Sequence, residues 1–276
     1  AGNPQRNWIN DHLVYTHGFG FVGAFGNSVD ADGKPNFIVG DIPPTKALGE
    51  FQPRIYFGEN VPDYSIIGGS ESGTKVEFDY PDDKSANGQA NYTYTGKGGV
   101  PMGSLFTRLL FAIKYQEQRI VLSNLINSNS KILFERNPRE RVAKVAPWLT
   151  LDGDPYPAVI DGRITWIIDG YTTSNGYPYS RKSSLSGSTA DALTANSTSI
   201  TAQANTSVNY IRNSVKATVD AYDGTVSLYA WDENDPVLKT WSKVFPGVVQ
   251  PKSAIDANLM SHLRYPEDLF RVQRDV

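Results

Sequence analysis

Short apolar runs separated by turn residues occupy the first 80 positions of the chain. HLVYTH at 12–17 and QPRIYF at 52–57 are examples, and such runs end at Gly, Pro, Asn or Asp. Apolar runs of four to eight residues between turn residues are typical of β-strands. We therefore predict strands and loops up to about residue 80, with 10–27 forming a packed strand-and-turn element.

Helical spacing of apolar residues first appears after Ser104. Leu105, Leu109 and Ile113 recur at intervals of four, and Ser104 is a favourable N-cap residue. This pattern predicts a helix from Ser104 through about Gln118.

Four further helical segments follow from capping residues and prolines. Asn137 and Pro138 begin a helix that Pro147 should end, and Asp235-Pro236 opens a short helix. Two more helical stretches are predicted on either side of Pro266.

Two Asp-Gly pairs predict β-hairpins in the second half of the chain. They are Asp161-Gly162 and Asp223-Gly224, each between segments rich in β-branched and aromatic residues. The intervening segment 181–207 is rich in Ser, Thr and Ala, so we predict a mobile loop there.

Together these elements predict an α+β fold with mixed, largely antiparallel sheets and about four or five packed helices. A length of 276 residues is compatible with one domain spanning 1–276, with sub-lobes at 1–150 and 151–276.

Composition narrows the classes of function. The net charge of −3 gives no basic footprint, so we expect no nucleic-acid partner. The absence of cysteine excludes disulfides and a thiolate nucleophile. The apolar runs are too short for a spanning helix, so we expect the chain as given to be soluble.

His12 and His17 are the first candidate metal ligands. On a strand, a separation of five places two side chains on opposite faces, which disfavours a shared ion. The alternative is a buried, hydrogen-bonded imidazole beside close-packed glycines. GFGFVG at 18–23 matches the letters of a dinucleotide fingerprint without its strand-turn-helix context, so we expect no nucleotide cofactor.

Carboxylates cluster around the second candidate site. Asp152 and Asp154 share the turn LDGDPYP, and Asp161 and Asp169 follow within the next hairpin. Carboxylate and carbonyl oxygens are the ligands that Ca²⁺ prefers, so Ca²⁺ is the candidate cofactor. The alternative is that Asp152 and Asp161 accept hydrogen bonds within turns.

Basic residues concentrate in ERNPRERVAK at 135–144. We interpret Arg136, Arg139, Arg141 and Lys144 as a solvated helix face with local ion pairs, with an anion or headgroup site as the minor alternative. No serine nucleophile elbow or metalloprotease motif is present, although a triad assembled in space stays open.

Several long segments carry a family resemblance. They are HLVYTHGFG at 12–20, DIPP at 41–44, QPRIYFGE at 52–59, DPYPAVIDGRITWIIDGYTTS at 154–174, NYIRNSVKATVDAYDG at 209–224 and HLRYPEDLF at 262–270. The chain resembles uncharacterised protein family 0182, multi-pass membrane proteins found notably in actinobacteria. The resemblance implies transmembrane helices before a large extracytoplasmic region, and we identify the chain with that soluble region.

The resemblance implies no activity, so the function rests on the architecture. We expect a non-enzymatic, extracytoplasmic module of a cell-membrane protein, whose partners are the membrane-spanning region of the same polypeptide and a cell-envelope protein or component. One alternative is a metal-dependent or hydrolytic enzyme using His12 or His17 with carboxylates of 152–169. Another is the gate of a membrane transporter.

Overall fold

A computed structural model describes residues 7–44, 49–69, 73–193 and 200–275. The chain divides into two compact units. The first contains Ala1–Asn137 with Gly162–Ile164 and Ala221–Gly224, and the second contains the remaining segments. Helices accompany largely antiparallel sheets, so the predicted α+β class is confirmed. The single domain with two sub-lobes stays a prediction.

Small antiparallel sheets build the first unit. One sheet has three strands in the order β5-β9-β8, and the other strands pair as β1-β4, β2-β3 and β6-β7. The strands are Gly18–Phe19 (β1), Gly23–Val29 (β2), Pro35–Val39 (β3), Arg54–Ile55 (β4), Tyr64–Ile67 (β5), Glu77–Pro81 (β6), Gln89–Tyr92 (β7), Val100–Pro101 (β8) and Lys131–Phe134 (β9).

The segment 12–17 is not the predicted strand. Asn10–Val14 forms a single π-helical turn, in which the Tyr15 amide donates to the Asn10 carbonyl. Leu13 lies on this turn, and its side chain is buried. Packing of this side chain, and not strand pairing, therefore sets the local conformation. The strand prediction for HLVYTH was wrong.

The predicted helix after Ser104 is confirmed as Leu105–Tyr115 (α1), followed by Arg119–Leu122 (α2). Ser104 occupies the N-cap position, but its side chain makes no capping hydrogen bond. Gln116 ends α1 in the left-handed conformation, with φ of 53°.

Two apolar clusters form the core of the first unit. One surrounds the three-stranded sheet, and the other is mainly aromatic. Their buried members are Trp8, Leu13, Tyr64, Ile66, Met102, Ile120, Ile126 and Ile132 in the former, and Tyr56, Phe57, Ile67, Tyr94, Leu133 and Tyr222 in the latter.

The backbone of Gly224 packs closely against the aromatic cluster. Its φ is +71°, and a Cβ atom built there would lie 2.5 Å from the Phe57 ring. Both the conformation and the close approach therefore require glycine at the predicted Asp223-Gly224 turn.

A six-stranded sheet dominates the second unit. Its order is β10-β12-β15-β16-β17 with β11 paired to β12, and β16 and β17 run parallel. Its strands are Thr150–Leu151 (β10), Tyr156–Ile160 (β11), Arg163–Ser174 (β12), Tyr210–Asp220 (β15), Val226–Ala230 (β16) and Val249–Gln250 (β17). Ser183–Ser184 (β13) and Ser207–Val208 (β14) form a separate two-stranded sheet. Both predicted hairpins are confirmed.

Among the residues that the structure describes, the second unit has five α-helices. They are Pro138–Val145 (α3), Leu185–Ser188 (α4), Pro236–Val244 (α5), Ala257–His262 (α6) and Glu267–Asp275 (α7). The predicted Asp235 cap is confirmed, because its carboxylate accepts from the amides of Val237 and Leu238. The helices predicted around Pro266 are α6 and α7.

The predicted loop at 181–207 contains short elements where the structure describes it. Strands β13 and β14 pair antiparallel, and helix α4 follows β13. Leu185 of this segment is buried against Val208 and Val272, which lie outside it, so an apolar side chain anchors a segment that composition alone marked as unanchored. Residues 194–199 lie outside the described residues, and mobility of the segment stays a prediction.

Candidate functional site

His12 belongs to the packing of the first unit. Its Nδ1 lies 2.8 Å from the Tyr64 carbonyl oxygen, and its ring stacks on the Tyr64 ring at 3.9 Å with an interplanar angle of 5°. Burial lowers the pKa of His12, which favours the neutral imidazole. This arrangement matches the alternative interpretation of a hydrogen-bonded, partly buried imidazole.

His17 has a fully buried side chain and lies in a separate polar network. Its Nε2 lies 3.2 Å from Asp79 Oδ1 and its Nδ1 lies 2.9 Å from Thr16 Oγ1. Glu77 accepts hydrogen bonds from the hydroxyls of Thr16 and Tyr56, at 2.7 and 2.6 Å. These partners engage both ring nitrogens of His17.

Arg54 closes the same network with a two-pronged ion pair. Its Nε and a terminal nitrogen donate to the two oxygens of Asp79, at 2.8 and 2.6 Å. The guanidinium also lies 3.6 Å above the Tyr92 ring centroid. Burial acts to raise the pKa of Asp79, but hydrogen bonds from His17 and Arg54 outweigh it and lower the pKa. Asp79 is therefore held as a paired carboxylate.

Arg136 is buried, which contradicts its assignment to a solvated helix face. Its guanidinium donates to the carbonyls of Tyr56, Pro62 and Thr16 and to the hydroxyl of Ser65. Burial lowers the pKa of Arg136 from its very high ordinary value. The forked donor geometry suits four acceptors at once, a role that a linear motif does not reveal.

Asp152 in the second unit accepts turn hydrogen bonds, as the alternative interpretation stated. Its Oδ1 accepts from the Asp154 amide at 3.0 Å. Its Oδ2 accepts from the Tyr171 hydroxyl and from the Asp268 amide. The Asp268 carboxylate accepts in turn from the Gly153 amide and the Gln203 side chain, at 2.9 and 2.6 Å.

Asp154 and Asp161 have different surroundings. Burial and the neighbouring Glu267 carboxyl raise the pKa of Asp154 to about 6. Asp161 lies in its hairpin turn at φ of 49° and accepts from the Asn258 side chain at 2.8 Å. Across the described ranges, no three His, Asp or Glu side chains are grouped so that they could hold a metal ion. A calcium site at Asp152 or Asp154 stays a prediction.

Sequence reasoning missed a cleft in the second unit. This cleft of about 660 Å³ is lined by residues of β15, α6 and α7, by the segment directly after β16 and by the connection between the two helices. The lining comprises Ile211, Arg212, Asn213, Trp231, Asp232, Met260, Leu263, Arg264, Tyr265, Pro266, Leu269 and Gln273. The sequence shows aromatic and amide side chains within a predicted hairpin, and these were the available signal for the cleft. It does not show that they converge with α7, because that convergence depends on the tertiary fold.

The model of an uncharacterised protein family, UPF0182, matches residues 2–276. The chain belongs to this family. A UPF0182 protein of Arthrobacter sp. (strain FB24) is 56% identical over 99% of this chain and 27% of its own length. A UPF0182 protein of Frankia alni is 58% identical over 100% of this chain and 26% of its own length.

This UPF0182 chain therefore spans about a quarter of the length of these relatives. No solved structure matches it. Within the part of the chain that the structure describes, no helix combines the length and apolarity needed to cross a membrane.

Proposed function

We propose that this chain is a non-enzymatic binding module on the extracytoplasmic side of a multi-pass cell-membrane protein. Its helix α1 docks onto the membrane-spanning region of the same polypeptide, and the module binds a protein or component of the cell envelope. The exposed apolar face of α1 carries the proposal.

Five large apolar side chains on α1 are exposed. Leu105, Phe106 and Ile113 are 67–68% exposed, and Leu109 and Leu110 are 48% and 51% exposed. We call this set the α1 stripe. Its members recur at helical spacing, so they form one continuous face.

The opposite face of α1 packs against the first unit. Phe111, Ala112 and Tyr115 pack against the core around the three-stranded sheet. No residue of α1, all of which the structure describes, is fully buried. The helix therefore lies on the core with one face and presents the α1 stripe outward.

Burial of an apolar face of this size against a partner is energetically favourable. Fully burying a Leu, Ile or Phe side chain contributes about 1.5–3 kcal/mol, and contiguous exposed apolar patches mark interaction sites. Five such side chains supply ample free energy for docking, even after the entropic cost of association is subtracted.

We propose the rest of the polypeptide as the partner of α1, because the relatives are much longer than this chain. The chain corresponds to about a quarter of each relative described above. A segment of the same polypeptide is present at high effective concentration, so a modest interface is sufficient for stable docking.

The polar networks support binding over catalysis. His12, His17 and Asp152, the groups first considered for chemistry, have protein hydrogen-bond partners. Such networks stabilise and orient structure, in contrast to a nucleophile and base that converge in a pocket.

The experiment uses cysteine accessibility, which is convenient because the chain has no cysteine. Leu109→Cys reports on the α1 stripe, and Val244→Cys on α5, 55% exposed, is the matched control. Each variant is made in the longer polypeptide, with cysteines elsewhere replaced by serine. Intact cells are treated with a membrane-impermeant maleimide.

We expect Val244→Cys to react in intact cells and Leu109→Cys to react only after denaturation. Reaction of Val244→Cys only after cell lysis contradicts the extracytoplasmic location. Equal reaction rates of the two cysteines in intact cells contradict docking through α1.

A further inference from the structure

Strand β15 has an unpaired edge near its start. β12 pairs with β15 from Tyr210 to Asp220, whereas β16 pairs with it only from Val215 to Val219. Among the strands that the structure describes, residues 210–213 therefore have a partner on one side alone. In an antiparallel strand, alternate residues direct their N–H and C=O groups to opposite sides. Part of the backbone at 210–213 can therefore form hydrogen bonds with an added strand.

The polypeptide leaves β15 directly after β16. The amides of Trp231 and Asp232 both donate to the Ser214 carbonyl, at 2.8 and 3.3 Å. Asp235 then caps α5, so the chain turns into a helix and does not continue the strand pairing. The open edge of β15 begins where these last backbone hydrogen bonds end.

Two depressions meet at this open edge. One is the cleft of about 660 Å³, and the other is a neighbouring depression of about 470 Å³. Ile211 and Arg212 of the open edge line both of them. We call the two depressions together the β15 groove. The groove therefore follows the backbone of the unpaired strand.

Apolar side chains line both parts of the β15 groove. Trp231, Leu263 and Leu269 line the larger part. In the smaller part the rings of Tyr177 and Tyr210 stack, with their centroids 6.0 Å apart. Successive side chains of an extended peptide point to opposite faces, so a strand added at this edge can contact apolar groups through alternate residues.

Helix α7 forms a wall beside the open edge. Leu269 and Gln273 of α7 line the larger part of the groove, and Val272 lines the smaller part. A helix that covers a strand edge protects it from pairing with another sheet. The recessed edge therefore accommodates one extended chain in preference to a second copy of this folded unit.

The charge of the groove differs from that of the whole chain. Its described lining contains three arginines, Arg181, Arg212 and Arg264, and one acidic residue, Asp232. Arg212 pairs with Asp232 at 3.0 Å, whereas Arg181 and Arg264 are exposed and form no ion pair with any residue that the structure describes. The groove is therefore positive, although the chain has a net charge of −3. This charge favours an acidic partner.

We propose that the β15 groove binds an extended segment of an envelope protein that carries apolar and acidic side chains. The segment adds to β15 as a strand, and its backbone forms hydrogen bonds with residues 210–213. Its apolar side chains occupy the groove, and its acidic side chains pair with Arg181 and Arg264. Strand addition derives affinity from the backbone and specificity from the side-chain pockets. The inference rests on the proposed binding role of the module and names the chemistry of its partner, but it does not involve docking through α1.

The test begins with a phage-displayed library of random octapeptides, which is selected on the purified 276-residue chain. Enriched peptides are synthesised, and their affinities are measured by fluorescence anisotropy. Arg181→Glu/Arg264→Glu reverses the two charges that lack ion pairs. Lys239→Glu/Lys243→Glu is the matched control, because these two exposed cations of α5 do not line the groove. Thermal unfolding shows that both variants fold.

We expect the enriched peptides to combine Asp or Glu with β-branched, leucine or aromatic residues and to contain little proline. The arginine variant should weaken binding at least about tenfold, and the lysine variant less than about twofold.

Two N-methylated forms of the strongest peptide test strand addition. One form is methylated at its odd-numbered residues and the other at its even-numbered residues. Because alternate amides of an added strand face β15, one form should bind at least about tenfold more weakly, and the other within about threefold of the parent peptide. Hydrogen exchange should slow at amides of residues 210–213 in the complex.

Three results would overturn the proposal. One is that the library yields no enriched peptide. Another is an equal response to the two N-methylated forms, which would show that the peptide does not add as a strand. The third is an equal affinity for the native chain and the arginine variant, which would place the peptide elsewhere. Each of these results concerns the β15 groove alone, so the cysteine-accessibility test of α1 keeps its own outcome.

Discussion

Lys216 and Asp169 face each other directly across β15 and β12, and their charged groups form a buried ion pair. The two side chains are 1% and 4% exposed. Lys216 Nζ also donates to the Arg264 carbonyl at 2.9 Å. Burial is the main cause that raises the pKa of Asp169, and Lys216 and Asn213 oppose it. This pair connects the central sheet of the second unit to the cleft.

Breaking this ion pair should destabilise the fold more than replacing it. Lys216→Met leaves a buried carboxylate without its cation and should lower the free energy of unfolding by about 3–5 kcal/mol. The double variant Lys216→Met/Asp169→Leu should recover much of that loss. Urea unfolding of both single variants and the double variant measures the coupling. Additive losses would show that the two charges do not interact.

Replacement of Arg136 by lysine should lower the stability of the fold. Lysine lacks the planar fork that serves four acceptors, so Arg136→Lys should cost about 2–4 kcal/mol of stability. Arg108→Lys is the matched control, because Arg108 Nε makes one hydrogen bond, to the Met102 carbonyl, and should cost about 1 kcal/mol or less. The measurement is guanidinium unfolding, and equal losses in the two variants would contradict the role assigned to Arg136.

Asp154 should make stability depend on pH near neutrality. Its pKa is raised from 3.8 to about 6, so its stabilising contribution is complete below pH 3.8 and is lost as the pH rises through 6. Asp154→Asn should therefore be more stable than the native chain above pH 6, by about 1 kcal/mol after discounting for solvent screening. The difference should vanish near pH 4. Thermal unfolding from pH 4 to 8 tests this, and a constant difference would refute it.

The calcium hypothesis makes a separate prediction at Asp154. If this carboxylate and Glu267 hold Ca²⁺, about 5 mM CaCl₂ at pH 7.5 should raise the Tm of the native chain. Asp154→Asn should remove the increase, and Asp161→Asn should retain it. A Tm that does not respond to Ca²⁺ would eliminate Asp154 as a ligand.

The regular elements could be predicted because their signals are local. Asp235-Pro236 and the two Asp-Gly pairs fix caps and turns within four residues, and each produced the expected helix or hairpin. The turn at 10–14 could not be predicted in this way, because the burial of Leu13 in the core decides it.

The candidate site depended on contacts that are distant in sequence. Arg136 lies in a charged run, yet its acceptors lie 71 to 120 residues away. Asn213 and Lys216 lie within an alternating strand, where sequence does not show which buried polar groups have partners. The helical spacing of the α1 stripe could be read from the sequence, but its exposure to solvent could not.

The most direct test of the proposed module combines the chain with its membrane partner. The membrane-spanning region of the longer polypeptide is reconstituted into vesicles, and sedimentation of the separately purified 276-residue chain with these vesicles is measured. We predict sedimentation with the loaded vesicles, little with empty vesicles of the same lipid, and loss of binding in Leu109→Glu/Ile113→Glu. No sedimentation with loaded vesicles, or equal sedimentation with empty ones, would contradict docking of α1 onto its own polypeptide.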